Sequence, residues 1–346
     1  LRIFTTPKDL SFFSFLLLIS EYCFNMNLFP RLPLRHVTKI SDLSRGEISS
    51  ILSLAADMKK TPTDFYDTLK RKTLLMLFEK PSLRTRVSLE TGMTQMGGHA
   101  IAYMTGDSPI GKKETYEDTG AVLSRMVDAA TARVNSRQQI SGLAAHSTIP
   151  IVNALDDWAH PMQMLADLQV MQEHSGTADL SGCSLAFVGD IQNNVTYDLM
   201  RAGCVMGMNV RISGPKGPAY DPDPEVLAEC AELSKASGAG TAVVVDTAEE
   251  AVKGADFVYA DSWMSYGVSG EARERRMAEL MPWQVTTSLM AKASPTAAFM
   301  NCLPAMRGEE QTAEVIDGPQ SIVFDQAENR LHAQKALLAK LILRQI

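Results

Sequence analysis

The sequence has few cysteines, no paired cysteine motif and no apolar segment of membrane-spanning length. Its five cysteines are scattered over 346 residues, and no two of them form a Cys-x-x-Cys pair. This pattern argues against a disulfide framework and a cysteine-ligated zinc site, and it favours a reducing compartment. The apolar run at residues 10–19 is shorter than the roughly 20 residues that a membrane-spanning helix needs. We therefore expect neither a metal centre nor a membrane partner.

The sequence also lacks an excess of positive charge. Lys and Arg number 33 against 40 Asp and Glu, which gives a formal net charge of −7. Such a chain has no basic field for a nucleic-acid backbone, so we expect small-molecule ligands and no nucleic-acid partner. Hydrophobic residues at 45% and charged residues at 21% are ordinary for a globular protein, and the length is sufficient for two domains.

Residues 1–36 differ in composition from the rest of the chain. Their charged side chains are mostly basic: Arg2, Lys8, Arg31 and Arg35, against Asp9 and Glu21. A basic, acid-poor composition is typical of a mitochondrial presequence, whereas a secretory signal needs a cleavage site of small residues. We predict a presequence or a disordered extension, with the mature protein in the mitochondrial matrix or otherwise in the cytoplasm. A segment without a function of its own is the alternative.

From residue 37 onward, helical and strand-like patterns alternate. A helix is predicted from the polar residues 41–44 toward Lys60, and the apolar run at residues 73–78 has the length of a buried strand. Further strands are predicted at residues 149–154, 184–188, 243–245, 257–260 and 297–301. This alternation predicts an α/β fold with two doubly wound parallel-sheet domains of similar size, at residues 37–168 and 169–326. Residues 327–346 are predicted to form an amphipathic helix that packs back on the first domain.

Polar motifs follow several of these strands, where ligands of open α/β sheets bind. The Ser-Leu-Arg-Thr-Arg segment at residues 82–86 opens a helix with two hydroxyls and two guanidinium groups, which predicts a phosphate cradle. It is not a P-loop, because the Gly-x-x-x-x-Gly-Lys-Ser/Thr pattern is absent, and no acidic pair nearby suggests magnesium. The alternative is a solvated, salt-bridged arginine face.

Other strand ends carry a histidine, an arginine, an aspartate and a cysteine. His160 precedes Pro161 and is predicted to cap a helix, while Arg133 ends an apolar run and could meet a developing oxyanion. Asp261 suits a substrate ammonium, and Cys302 also ends a strand. The alternatives are a structural histidine, a loop-capping aspartate and an inert buried cysteine. The turn at residues 189–194 lacks Gly-x-Gly-x-x-Gly, so a nicotinamide oxidoreductase ranks last and no cofactor is predicted.

Together these segments resemble the aspartate/ornithine carbamoyltransferase family over residues 37–346. The segments at residues 82–86 and 160–163 are similar to motifs that both branches of the family share. The Asp-x-Trp-x-Ser-x-Gly segment at residues 261–267 and the Cys-Leu-Pro at residues 302–304 resemble the ornithine branch. The resemblance implies transfer of a carbamoyl group from carbamoyl phosphate to L-ornithine, giving L-citrulline, as a step of arginine biosynthesis. It also implies a homotrimer whose active sites are completed by a neighbouring chain.

The resemblance assigns site residues by their match to the family motifs. It implies that carbamoyl phosphate is bound by Ser82, Leu83, Arg84, Thr85, Arg133, His160, Gln163, Cys302, Leu303 and Arg330. It implies that ornithine is bound by Asn194, Asp261, Ser265 and Tyr266. The catalytic set that follows is Arg133, His160, Cys302, Arg330 and Asp261. Arg133 and His160 would stabilise the oxyanion, and Cys302 with Asp261 would orient the amine rather than form a covalent intermediate.

The chain departs from the family pattern at three positions. Tyr266 stands where the ornithine branch usually has methionine, Asn301 stands where it has histidine, and Pro109 stands where glutamine or histidine is common. Tyr266 adds bulk at the acceptor pocket. Two alternative functions therefore stay open: carbamoyl transfer to another amine, such as putrescine or N-acetylornithine, and a non-catalytic regulatory homologue.

Overall fold

The computed structural model describes residues 34–106, 109–264 and 270–346, so most of the predicted N-terminal extension lies outside the described residues. The first half contains a four-stranded sheet with its helices. Its elements are α1 (Arg45–Lys60), β1 (Thr73–Phe78), α2 (Leu83–Gln95), β2 (His99–Met104), α3 (Tyr116–Leu123), β3 (Ala129–Arg133), α4 (Arg137–Ala145), β4 (Ile151–Leu155) and α5 (Pro161–Ser175).

The second half contains a five-stranded sheet, and a long helix closes the chain. Its elements are β5 (Ser184–Val188), α6 (Asn194–Met206), β6 (Asn209–Ser213), α7 (Pro224–Ser237), β7 (Thr241–Val244), α8 (Ala248–Val252), β8 (Phe257–Tyr259), α9 (Glu271–Leu280), α10 (Thr287–Met290), β9 (Ala298–Met300), α11 (Ala313–Ile316) and α12 (Val323–Ile342). The strand orders are β2-β1-β3-β4 and β7-β6-β5-β8-β9, and the paired strands are parallel. The predicted α/β fold class is confirmed.

Local sequence explains where several elements begin. The helix predicted to begin at residues 41–44 starts at Arg45, because Ser44 caps α1 and forms a capping box with Glu47. The predicted strands at residues 73–78 and 184–188 match β1 and β5, while the bounds of the other four predicted strands differ from the observed ones by at most two residues. The strands β2, β3 and β6 were not predicted as strands: β3 was recognised only as an apolar run at residues 129–132, and polar residues interrupt the apolar pattern of β2 and β6.

Helix α12 packs on the first half of the chain, as predicted, where it contacts α1, α2 and α5. Its apolar face includes Ala333, Ala336 and Leu337, all of them fully buried. The largest buried apolar cluster extends from Val37 to Ile346 and includes residues of both halves. The division at residue 168 stays a prediction, and α5 continues through that position. Within the described residues, no helix has the length and apolar character needed to cross a membrane.

Candidate active site

The predicted phosphate cradle lies at the start of α2, directly after the loop that leaves β1. Ser82 is the extended N-cap residue of this helix, and Leu83 is 75% exposed. Thr85 is buried in the first turn and Arg84 is partly buried. The guanidinium of Arg84 lies close enough to the second half to act on the ionisation of its acidic groups. The helix start therefore faces groups that follow β8 and β9.

Arg133 is the last residue of β3, and its backbone is held by the residue that follows β1. The ladder between β3 and β4 shifts register between Ala132 and Arg133, and the Glu79 N–H donates to the Arg133 carbonyl over 2.9 Å. The Glu79 carboxylate also accepts from the Asn135 backbone N–H at 3.0 Å and from its side-chain amide at 2.7 Å. Glu79 thus contacts the Arg133 carbonyl and the residue two positions after it. Sequence reasoning missed Glu79, although it lies only three residues before Ser82, the first residue of the predicted cradle.

His160 is the N-cap residue of α5, with Pro161 in the first turn, as predicted. Its side chain is 4% exposed, and its backbone N–H donates to Asp198 Oδ2 over 2.9 Å. Burial, followed by the charges of Arg330 and Arg133, holds the pKa of His160 well below its usual value of 6.5. The imidazole is therefore neutral at neutral pH and lies near two guanidinium groups.

Arg330 of α12 joins α2 and α5. Its Nη1 donates to Gln163 Oε1 over 2.6 Å and its Nη2 donates to Thr85 Oγ1 over 3.2 Å. The Gln334 side-chain amide is assigned with its oxygen toward the guanidinium, because in that orientation the oxygen accepts from Nη2 and Nε at 2.8 Å and the amide nitrogen donates to Ser88 Oγ at 2.8 Å. Burial lowers the pKa of Arg330 to about 10, so it remains charged at neutral pH. Three residues from separate motifs, Arg330, Gln163 and Thr85, are thereby in direct contact.

A buried carboxyl, Asp167, continues this network into the second half. Its Oδ1 accepts from Gln163 Nε2 at 2.8 Å and from Gln326 Nε2 at 2.7 Å, and its Oδ2 accepts from the Tyr259 hydroxyl at 3.1 Å. Burial, opposed by these hydrogen bonds, raises the pKa of Asp167 to about 6. Sequence reasoning missed Asp167. Its four-residue spacing from Gln163 along a helix was the available signal.

Cys302 and Asp261 meet at the ends of β9 and β8, in the second half. The Cys302 thiol donates to Asp261 Oδ1 over 3.1 Å, and the Ser262 backbone N–H donates to the same oxygen over 2.7 Å. Burial and the adjacent carboxylate raise the pKa of Cys302 well above 9, so the group is a thiol at neutral pH. Burial also raises the pKa of Asp261, while the thiol and Arg84 oppose that rise. Leu303 follows with a φ of +58°.

The remaining predicted residues lie at the start of α6 or outside the described residues. Asn194 is the first residue of α6, and its side-chain amide donates to the Asp156 carbonyl beyond β4. It therefore lies between the ends of the two sheets. Ser265 and Tyr266 fall within residues 265–269, outside the described residues.

These groups define a class of chemistry. Three guanidinium groups, a neutral imidazole and a thiol–carboxyl pair suit a phosphorylated carbonyl donor and an amine acceptor. Across residues 34–106, 109–264 and 270–346, no group of three or more His, Cys, Asp or Glu side chains is arranged to hold a metal ion. The fold and the site are those of an α/β transferase that moves an acyl-type group from phosphate to nitrogen.

Comparison with known proteins identifies the family. A profile described as "Aspartate/ornithine carbamoyltransferase, carbamoyl-P binding domain" matches residues 35–173, and the profile of the family's Asp/Orn binding domain matches residues 181–341. An ornithine carbamoyltransferase of Mycolicibacterium paratuberculosis is 42% identical over 90% of this chain and 99% of the relative. One from Thermococcus kodakarensis is 44% identical over 88% and 95%, respectively.

A solved structure agrees with these sequence relatives. The ornithine carbamoyltransferase from Pyrococcus furiosus has a TM-score of 0.85 and 42% identity to this chain, covering 92% of it and 100% of that structure. The chain therefore belongs to the aspartate/ornithine carbamoyltransferase family.

Proposed function

We propose that this chain transfers the carbamoyl group of carbamoyl phosphate to the δ-amine of L-ornithine, forming L-citrulline and phosphate. The observation that carries the proposal is the convergence of Arg84, Arg133, Arg330 and neutral His160 with the Cys302–Asp261 pair. Residues 37–168 form the carbamoyl phosphate-binding domain and residues 169–326 the ornithine-binding domain.

The donor is bound by the arginines and the helix start. Ser82, Arg84, Thr85 and Arg133 hold the phosphate, supported by the backbone N–H groups at the start of α2, and the two guanidinium groups offset its negative charge. Arg133 and His160 donate to the carbonyl oxygen, on which negative charge develops during attack. Because such donors stabilise the transition state more than the ground state, losing either one should raise the barrier by about 2.7–4 kcal/mol. Arg330 and Gln163, already joined at 2.6 Å, orient the carbamoyl group.

The acceptor is bound by residues of the second half. Asp261 and Ser265 bind the α-ammonium of ornithine, and Asn194 with the backbone at Tyr266 binds its carboxylate. The neutral δ-amine attacks the carbamoyl carbon, the C–N bond forms and the C–O bond to phosphate breaks. The amine loses one proton, which leaves with phosphate as the monohydrogen dianion. Cys302 remains a thiol and orients the amine, because its raised pKa disfavours a covalent thiolate.

Acceptor choice is the feature that Tyr266 can change. Putrescine lacks the carboxylate that Asn194 meets, and N-acetylation removes the ammonium that Asp261 binds.

The test is colorimetric measurement of ureido product with carbamoyl phosphate and ornithine, putrescine, N-acetylornithine, lysine or aspartate. Citrulline formation that is lost in Arg84→Ala supports the proposal. The matched control is Arg86→Ala, because the Arg86 guanidinium pairs with Glu90 on the exposed face of α2 and lies outside the proposed set of phosphate ligands. If product forms only with another amine, that amine, and not ornithine, is the acceptor substrate. Carbamoyl phosphate binding without any product would place the chain among regulatory homologues.

The proposed assembly is a homotrimer formed through the first domain. Strand β2 is an edge strand whose Ala100 and Ala102 pack on the core, whereas Ile101 and Tyr103 are 40% and 39% exposed. Val87 of the neighbouring α2 is 51% exposed. An exposed apolar strip on an edge strand supports coverage by a second copy. Light scattering should give about three times 37.8 kDa, and Tyr103→Glu should lower that mass. A monomeric wild type would refute the trimer.

The mitochondrial location remains a proposal about residues 1–36. It is supported by the basic, acid-poor composition of this segment. The bacterial and archaeal relatives described above do not support it. The test is a fusion of residues 1–36 to a fluorescent protein in eukaryotic cells. Mitochondrial fluorescence that is lost when the four basic residues are changed to glutamine would support a presequence, and diffuse fluorescence of the unchanged fusion would refute it.

A further inference from the structure

A buried ion pair of the second half contacts the backbone that carries His160. Asp198 and Arg201, both on α6, have fully buried side chains and form a salt bridge of 3.0 Å. Asp198 Oδ2 accepts from the His160 N–H at 2.9 Å, and Arg201 Nη1 donates to the Trp158 carbonyl at 3.1 Å. The pair therefore holds the segment of residues 158–160 at two backbone atoms.

The rest of the network fixes Arg201 in place. Its Nε donates to Glu229 Oε2 of α7 over 2.8 Å, and its guanidinium lies 5.2 Å from the centre of the Trp158 ring. Glu229 Oε1 accepts in turn from Lys39 Nζ at 2.6 Å and from the Ser41 hydroxyl at 2.7 Å. Helix α7 and the segment of residues 39–41 thus hold Arg201 of α6 beside the loop between β4 and α5.

Stability alone does not explain this arrangement. Removing two charges from water offsets most of the attraction between them, so replacement of a buried ion pair by apolar side chains is often neutral or stabilising. The pair does provide two directional contacts to a segment that ends in His160. Among the described residues, no protein group hydrogen bonds to His160 Nδ1. The backbone of residues 158–160 is therefore a main determinant of where the imidazole lies.

We propose that Asp198, held by Arg201, is a positioning residue for carbamoyl transfer, which sets His160 against the reacting carbonyl oxygen through the His160 backbone N–H. The inference rests on the proposed function of His160. By this inference, helix α6 of the second half positions His160, a residue of the first half. Displacement of a catalytic group by about 1 Å can lower a rate by about 100-fold, so loss of this contact should appear in kcat.

The experiment is a double-mutant cycle in the full chain with ornithine and carbamoyl phosphate. Asp198→Ala should lower kcat by about 10- to 100-fold, with KM for carbamoyl phosphate changed by less than about threefold. In a His160→Ala background the same change should lower kcat by less than about twofold, because a residue that acts through His160 has nothing left to position. An unchanged kcat in Asp198→Ala, or an effect of equal size in both backgrounds, would overturn the inference.

Two further variants separate positioning from folding. The double variant Asp198→Leu/Arg201→Met should keep a thermal midpoint within a few degrees of the wild type and still show a lower kcat. If the ion pair served stability alone, this stable variant would keep the wild-type kcat. Asp198→Asn serves if Asp198→Ala fails to fold. Arg201 and the His160 N–H donate to different oxygens of Asp198, so the asparagine NH₂ must face one of these two donors. The kcat should therefore fall partly, and a wild-type kcat would count against the inference.

The matched control is Asp179→Asn. It breaks the Arg45–Asp179 ion pair, which also joins the two halves of the chain but lies beside Ser181 rather than against residues 158–160. Its kcat should equal that of the wild type. A wild-type chain that forms no ureido product would refute the proposed function itself. Activity of the wild type together with full activity of the Asp198 variants would refute only the positioning role.

Discussion

Replacing Asp167 by asparagine should change how the stability of this protein depends on pH. Asp167 is fully buried, and three neutral donors hydrogen bond to its carboxyl group: the side chains of Gln163, Gln326 and Tyr259. An asparagine oxygen can accept from both glutamine amides, while its NH₂ donates to the Tyr259 hydroxyl oxygen. The variant therefore imitates the protonated carboxyl group and keeps the three contacts.

The expected sign follows from the raised pKa. Burial moves the pKa of Asp167 from 3.8 to about 6 in the folded chain. The folded state therefore binds a proton more tightly than the unfolded state, and the stabilisation present below pH 3.8 is lost as the pH rises to about 6. A shift of roughly two units corresponds to about 3 kcal/mol. Asparagine does not titrate, so the free energy of unfolding of Asp167→Asn should gain up to that amount relative to wild type between pH 4 and pH 7.

The measurement is urea unfolding of both proteins, followed by tryptophan fluorescence at several pH values across that window. The control is Asp179→Asn, an exposed carboxylate whose pKa is lowered by hydrogen bonds from Ser181 and by Arg45. Its stabilisation is present above pH 3.8 and is lost as the pH falls below that value, so this variant should be less stable than wild type by a nearly constant amount between pH 4 and pH 7. A difference between Asp167→Asn and wild type that is flat, or that follows the sign of the control, would refute the reasoning.

Three further predictions address the site and the fold. Cys302 should react with iodoacetamide at pH 7.5 at least about tenfold more slowly than free cysteine, because its raised pKa leaves little thiolate. Mass spectrometry of the peptide that contains Cys302 measures this rate, and rapid alkylation would contradict the prediction. Arg330→Lys keeps the charge but loses the fork that meets Gln163 and Thr85, so kcat/KM for carbamoyl phosphate should fall by about 10²–10³-fold, and a wild-type value would refute the role. Ser44→Ala should lower the free energy of unfolding by about 1 kcal/mol in urea titrations and leave kcat unchanged, since it removes only the cap of α1.

The parts of the fold that sequence predicted are those with strong local signals. β1 and β5 are short apolar runs between polar residues, and Pro161 after His160 marks the start of α5. β2 was not recognised because His99 opens it and every second residue faces outward. Its assignment as a strand depends on pairing with β1, which lies more than twenty residues away along the chain.

The contacts that organise the site could not be predicted by local patterns. Gln163 and Arg330 lie 167 positions apart and meet at 2.6 Å, and Asp198 reaches the His160 backbone from helix α6 of the second half. Resemblance supplied Arg330 because a family motif contains it. Asp198 and Arg201 belong to no motif, and in sequence they look like ordinary charged residues three apart on a helix. Only the packing of α6 against the β4–α5 loop shows that both are buried.

Burial lowers the pKa of His160 and Arg330 and raises the pKa of Cys302, and the resulting charges favour one kind of ligand. It keeps His160 neutral and Cys302 protonated, while Arg330 with a pKa of about 10 remains charged at neutral pH. The site therefore keeps its cations and loses the negative charge that a thiolate would add. Because these charges lie at the ends of both sheets, they attract a dianionic donor and stabilise charge on its carbonyl oxygen without a rearrangement during the reaction. The retained guanidinium groups would repel a cationic donor, so this arrangement of charges favours an acyl phosphate, in which the phosphate is bonded to the carbonyl carbon.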